Sequence, residues 1–277
     1  MKKFLLGSIA LVALNAGSAL AADMARPVYK AAPPPPICIW CGFYLGGNVG
    51  VARTRANVYT TNAPSVPGIF GAPANIAAVN AAGTGSLDDN TFFTGGVQGG
   101  YNWQVSPNFL LGIEADINSL RQTSTLANVA ATTIGLFPVT TSLQTDWLAT
   151  VRGRAGVTFG DTLIYVTGGA AFTKQTLTQT AGPTVLAVAG ATTGTSSTTS
   201  TKTGWTVGAG WEQMLWGAWS FKAEYLYAHF SGFATATTVT STGGFTQFMV
   251  ANTDHLNVSI ARVGLNYHFG GPVVARY

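Results

Sequence analysis

The sequence predicts an all-β fold, an eight-stranded antiparallel up-and-down barrel set in a membrane, and three observations lead there. In WSFKAEYLYAHF, residues 219–230, Trp219, Phe221, Ala223, Tyr225 and Tyr227 share one parity, while Ser220, Lys222, Glu224 and Ala228 share the other. A period of two is a strand, and a lipid-facing aromatic side backed by a charged side suits a barrel wall with a polar lumen. Hydrophobic residues are 47% and charged residues 9% of the chain, yet outside the N-terminus no apolar run approaches the roughly 20 residues a spanning helix needs. Strands must therefore do the crossing. Finally, long links and tight turns alternate along the chain, which places loops at one rim and turns at the other.

The first 21 residues have the parts of a secretory signal: Lys2 and Lys3, an apolar stretch over 4–14, and Ala19-Leu20-Ala21 as the cleavage site. Cleavage removes two lysines and with them half of the formal +4 charge, so the basic balance is no argument for nucleic acid. Residues 22–39, with Pro27 and Pro33 to Pro36, read as an extended periplasmic arm. Cys38 and Cys41 have C-x-x-C spacing, but no thioredoxin-like pattern and no second ligand pair accompanies them, so neither redox catalysis nor zinc is expected. A local disulfide is open to them only if the chain turns at Ile39-Trp40, because a strand would hold the two roughly 10 Å apart. Neither cysteine sits in a lipobox at the cleavage site.

The barrel is expected over 40–269, with 270–277 as a C-terminal extension. Its first strand, 43–54, sets Phe43, Leu45, Val49 and Val51 against Tyr44, Asn48 and Ala52. The second, 90–105, sets Phe93, Val97, Tyr101 and Trp103 against Thr94, Gln98 and Asn102. Ser106-Pro107-Asn108 turns it into a third, where Phe109, Leu111, Ile113, Ala115 and Ile117 alternate with Glu114, Asp116 and Asn118. The fourth, 146–159, opposes Trp147, Ala149, Val151 and Val157 to Thr150, Arg152 and Arg154, then turns at Gly160-Asp161. The fifth, 163–175, has ambiguous parity. The sixth, 203–215, sets Trp205, Val207 and Trp211 against Thr206 and Glu212, and Trp216-Gly217-Ala218 leads into the seventh. The eighth, 254–269, opposes Val263, Leu265, Tyr267 and Phe269 to Arg262, Asn266 and His268. The links 56–89, 121–145, 176–202 and 231–253 are rich in Thr, Ser, Ala and Gly, and are expected to be mobile extracellular loops.

The inward parity collects Glu114, Asp116, Glu212 and Glu224 with Arg152, Arg154, Lys222 and Arg262. An eight-stranded barrel is only wide enough for side chains to fill. Charges confined there must pair, and the nearest acids to Arg152 and Arg154 are Glu114 and Asp116 on the preceding strand. A filled, salt-bridged lumen is the expectation. The glycine doublets Gly46-Gly47, Gly95-Gly96, Gly99-Gly100 and Gly168-Gly169 lack the strand-to-helix context of a phosphate loop, and read as bends or close approaches.

GFYLGGNVG after the proline arm, YNWQVSPNFLLGIEAD, TGWTVGAGWE, FKAEYLY and ARVGLNYHFGGPVV together carry a resemblance. The chain resembles the RopB-like, porin-family outer-membrane β-barrel proteins of alphaproteobacteria, with an architecture similar to OmpA and the opacity proteins. The resemblance implies residence in the Gram-negative outer membrane and a structural, surface-exposed role. It also implies outer-membrane lipid and lipopolysaccharide as surroundings and the barrel-assembly machinery as a partner during insertion. Some members are described as porins or haem binders. No cofactor, metal or catalytic residue follows from the pattern, and no enzyme is expected. His229 and Ser231 resemble the H-x-S pair of lipid A deacylases, but Thr242, Gly243 and Gly244 stand where that pattern expects a Glu, leaving only Asp254 further on. His229 and His255 read as rim histidines rather than haem ligands.

Overall fold

The computed structural model describes residues 38–63, 68–88 and 91–269. The expected signal peptide, the proline arm up to residue 37 and the extension 270–277 lie outside the described residues. Ten strands form one antiparallel sheet: β1 (Gly42–Asn62), β2 (Gly85–Asp88), β3 (Phe92–Ser106), β4 (Phe109–Thr132), β5 (Gly135–Phe159), β6 (Thr162–Leu186), β7 (Gly190–Met214), β8 (Trp219–Ser231), β9 (Ala234–Ser241) and β10 (Thr246–His268). Eight of them close a ring in the order β1-β3-β4-β5-β6-β7-β8-β10, sealed by β1 against β10. Among the described residues no helix is long and apolar enough to cross a membrane.

The lower half of the ring has the expected two-sided wall. Phe43, Leu45, Val49 and Val51 on β1 are exposed, while Tyr44, Asn48 and Ala52 between them are buried. The same alternation runs through Phe109–Ile117 of β4 and Val151–Phe159 of β5. The parity of β6 resolves as Leu163, Tyr165 and Thr167 inward and Ile164 and Val166 outward. Both parities of that strand begin apolar, so alternation alone does not choose between them. The periplasmic turns are short; Gly160, at φ 61°, supplies the left-handed residue that closes β5 onto β6.

The upper half departs from the expectation. Most of the segments read as mobile links, 121–145, 176–202 and 231–253, are strand: β4, β5, β6 and β7 run 24 to 25 residues each without leaving the sheet. A bilayer needs only about 9–11 residues of tilted strand, so the barrel stands well clear of it. Threonine decides this, being β-branched and suited to a pleated surface even where both faces are wet. A composition read as a loop is here a strand whose outward face is mostly polar and whose inward face mixes threonines with apolar residues such as Phe137, Val139 and Leu177. The link 56–89 holds the end of β1, then α1 (Pro73–Ala82) and β2. Proline at its start and an alanine-rich body favour that helix.

Two strands end at membrane height and are succeeded. Above Ser231 the chain breaks at Gly232-Phe233, and β9 takes the place of β8, pairing with β10 and β7. Where β3 stops, β2 pairs with the upper part of β1, and α1 packs over β4 and β1. The interior is layered. Trp40, Leu110, Leu163 and Tyr165 form an apolar floor. A large apolar cluster including Leu148, Leu177, Leu226, Phe230 and Ile260 lies higher, and a second one, with Phe70, Val79, Phe137, Val239 and Met249, fills the extracellular mouth.

Candidate functional site

Between the floor and the first apolar cluster lies a layer of ionised groups. Even-numbered residues of β4, β5, β7, β8 and β10 point inward at this level, and the registers set opposite charges directly across from one another: Glu114 with Arg152, Glu212 with Lys222, and Glu224 with Arg262. All eight charged side chains, four acids and four bases, are buried.

Arg152 bonds to Glu114, to Asp116 at 2.8 Å and to Glu224 at 3.1 Å. Lys222 places Nζ 2.8 Å from both oxygens of Glu114. Arg262 donates through Nε to Glu224 at 2.8 Å and through Nη1 to Asp116 at 3.1 Å. Arg154 reaches across the lumen to Glu212 at 2.8 Å, with Glu114 more distant at 3.6 Å. Its main acid is therefore on β7, so Arg152 follows the strand-to-strand pairing with Glu114 and Asp116 read from the sequence, while Arg154 departs from it.

Neutral donors complete the acceptors, as buried carboxylates require. Tyr44 donates its hydroxyl to Glu114 at 2.6 Å and accepts from Arg154 at 2.9 Å. Thr150 and Asn118 donate to Asp116, Tyr165 to Glu224, and Ser220 and Asn266 to Glu212. The Arg154 guanidinium stacks on the Tyr165 ring at 4.1 Å. Gly210 makes room for that ring, because a Cβ there would come within 2.4 Å of it. From Asn266, Gln98 and Asn48 continue the hydrogen-bonded chain beside the layer. These neutral members were missed as site residues although most share the inward parity; what marks them is their position beside a charge, not their type.

The floor is held by Cys38 and Cys41, which form a disulfide with Cα atoms 5.5 Å apart across a bend at Ile39-Trp40. That bend drives Trp40 into the periplasmic mouth, 2% exposed, where its indole N–H donates to the carbonyl of Gly160 at 3.1 Å and its ring meets His268 edge-on.

The histidines of the sequence motifs sit elsewhere, on the outer wall. His229 Nδ1 is 2.7 Å from the Asn257 side-chain oxygen, and its ring stacks between Trp205 and His255. Asp254 pairs with His255 at 3.0 Å rather than with His229, while Thr242 and Gly243 lie at the far tip of the β9–β10 hairpin. Lys174 pairs with Asp146 at 3.3 Å just above the apolar belt. A hydrogen bond from Gln144, aided by Lys174, holds that carboxyl below its usual range. Among the described residues no group of three or more His, Cys, Asp and Glu is placed to hold a metal ion.

A sealed ring of strands with an apolar outer belt and an ionised interior is matched by the comparisons with known proteins. The family described as outer membrane protein beta-barrel domain matches residues 9–269. The chain belongs to this family. Within it, the 31 kDa outer-membrane immunogenic proteins of Brucella melitensis biotype 1 and Brucella suis biovar 1 are each 33% identical to the chain over 273 residues, 97% of this chain and the whole of theirs. Similar solved structures include the outer membrane protease OmpT of Escherichia coli (TM-score 0.48, 8% identity, 82% of this chain and 97% of that one) and Neisserial surface protein A (TM-score 0.38, 13% identity, 82% and 97%). Membership places the protein in the outer membrane of the cell as an integral barrel, as the resemblance implied.

Proposed function

We propose that this family member is a non-enzymatic barrel with a structural and surface role, whose lumen is closed to solutes. The observation that carries the reading is the ion layer: every carboxylate in it is engaged by at least two donors, and an apolar floor and two apolar clusters lie below and above it. A permeating ion would have to displace these partners and leave a buried charge uncompensated, at a cost of several kcal/mol. The non-enzymatic part is supported by His229, which is oriented by an amide and two aromatic neighbours instead of the carboxylate that a serine nucleophile would need behind its base. The immunogenicity named in the Brucella relatives fits a chain that carries a tall structure above the membrane.

Planar-bilayer recording of the refolded protein tests the reading. The expected result is a flat current at moderate voltage. Steady, porin-like steps would make the small-solute pore the better description, and hydrolysis of an acyl ester by the refolded protein would remove the non-enzymatic claim.

A further inference from the structure

Outside the lumen, the exposed cations of the wall sit in one band. Arg53 and Arg55 on β1, Arg121 on β4 and Lys174 on β6 all lie within two outward positions of the last outward apolar residues below them, Val51, Ile117 and Phe172. Lys174 is taken by Asp146. Arg53 and Arg55 have no acid within ion-pair distance among the described side chains, although Asp88 stands opposite Arg55 in the β1–β2 register. Arg53 lies where β1 has left β3 and has not yet met β2.

Registers extend these arginines into two rows across the wall. Arg55 is followed by Asn257, His229 and Trp205, and Arg53 by Ser259, Tyr227 and Val207. Apart from Val207 the rows are polar and aromatic, and Trp205 is 49% exposed. Amphipathic rings of this kind prefer the membrane interface. Immediately below Arg53 the wall is hollow. A concavity of about 490 Å³ lies between Val49, Val51, Ala223, Tyr225, Ala261 and Val263. It shares Val49 and Val263 with a larger apolar trough of about 1090 Å³ that descends past Gly47, Leu45, Phe221 and Leu265. Alanine and glycine make the depression, and both hollows face the hydrocarbon.

A cationic head site directly above an apolar trough is complementary to an amphiphile with an anionic head, so we propose that the β1–β10–β8 face binds a phosphorylated glycolipid of the outer leaflet. Its phosphate sits on Arg53, shared with Arg55, and an acyl chain lies in the trough. Guanidinium groups suit the phosphate because they offer several donors in a planar fork. The sugar rests beside Trp205 and His229.

Native mass spectrometry of the full chain released from an uncharged detergent tests this, with bisphosphorylated lipid A, the same lipid fully dephosphorylated, and inorganic phosphate as probes. Wild type should retain the phosphorylated lipid. Loss of a charge-assisted contact should weaken retention about tenfold, both for the dephosphorylated lipid and for an Arg53→Gln, Arg55→Gln variant. Ala261→Leu, which fills the upper trough from the lipid side, should weaken it while leaving the fold intact by circular dichroism; Lys174→Gln should leave it unchanged. Equal retention by the double glutamine variant overturns the proposal. So does competition by inorganic phosphate at equal concentration, which would make it a free-ion site, or a dimer abolished by Ala261→Leu, which would assign the trough to a second copy.

Discussion

Glu114 is the acid of the ion layer that has all four bases within ion-pair distance, and replacing it with glutamine tests the closed-lumen argument most directly. The substitution keeps the shape and removes one charge. Lys222, now 2.8 Å from both carboxylate oxygens, would be left with Glu224 at 3.5 Å as its nearest acid. Arg152 would keep Asp116 and Glu224. The layer then carries one uncompensated positive charge with no solvent to screen it. Removing one partner of a buried pair costs about 3–5 kcal/mol, so Glu114→Gln should lose that much in urea titration of the protein folded into lipid vesicles. Lys222→Met, added to it, restores neutrality with an apolar side chain of similar length. Replacing a whole buried pair is often close to neutral, so the double variant should recover to within about 1–2 kcal/mol of wild type. The second substitution should thus recover about 2–3 kcal/mol of what the first one loses. The single variant should also show occasional conductance openings that the double variant lacks. A Glu114→Gln protein as stable as wild type, or a double variant no better than the single, would refute the view that these charges are desolvated and mutually required.

Arginine at Val151 or Ala223, facing lipid at mid-belt, should cost about 2–4 kcal/mol, whereas arginine at Thr125 on the wet outer face of β4 should be nearly silent in the same titration. Trp40→Ala should cost about 3–5 kcal/mol, as for other fully buried large aromatics, and Cys38→Ser with Cys41→Ser should loosen the same floor; both are read as a lower denaturation midpoint. Single cysteines placed at Thr133 and Val188 should react with a membrane-impermeant maleimide on intact cells, while one at Asp161 should not; labelling at Asp161 would invert the topology.

The membrane half of the barrel was legible because a two-sided environment writes a period of two. Phe109 to Ile117 against Glu114 and Asp116 leaves no other reading, and parity alone gathers all eight charges of the lumen. The upper half was not legible for the complementary reason. From Gln122 to Thr145, or Gln175 to Thr201, both faces of the strand see water or a mixed interior, so nothing alternates and only the β-branching of threonine speaks for a strand. Pairing inside the lumen was only partly legible: Arg152 takes Glu114 and Asp116 as the register suggests, but Arg154 takes Glu212 two strands along at 2.8 Å and leaves Glu114 at 3.6 Å, a choice made by side-chain reach and by Tyr44 and Tyr165, whose roles no spacing announces. Conversely, Trp40 became visible as a floor only once the disulfide fixed its bend.

The tall extracellular hairpins have a consequence for how the chain reaches its place. Between Asn57 and Leu87, Gln122 and Thr145, Gln175 and Thr201, and Gly232 and Thr253 there is no Asp, Glu, Lys or Arg at all. Each of these segments is made inside the cell and has to be carried through the hydrocarbon before it can stand outside. An ionised side chain at the centre of a bilayer costs about 2.5–3.5 kcal/mol even by insertion scales, and a hairpin with several would accumulate a barrier. Hydroxyls can return their hydrogen bonds to neighbouring backbone, as Thr184 does to Leu136 and Thr132 to Gly135, and so travel with much of their polarity already satisfied. The chain keeps its ions in the wall that stays behind and at its outer edge, and sends across hydroxyls, amides and apolar groups.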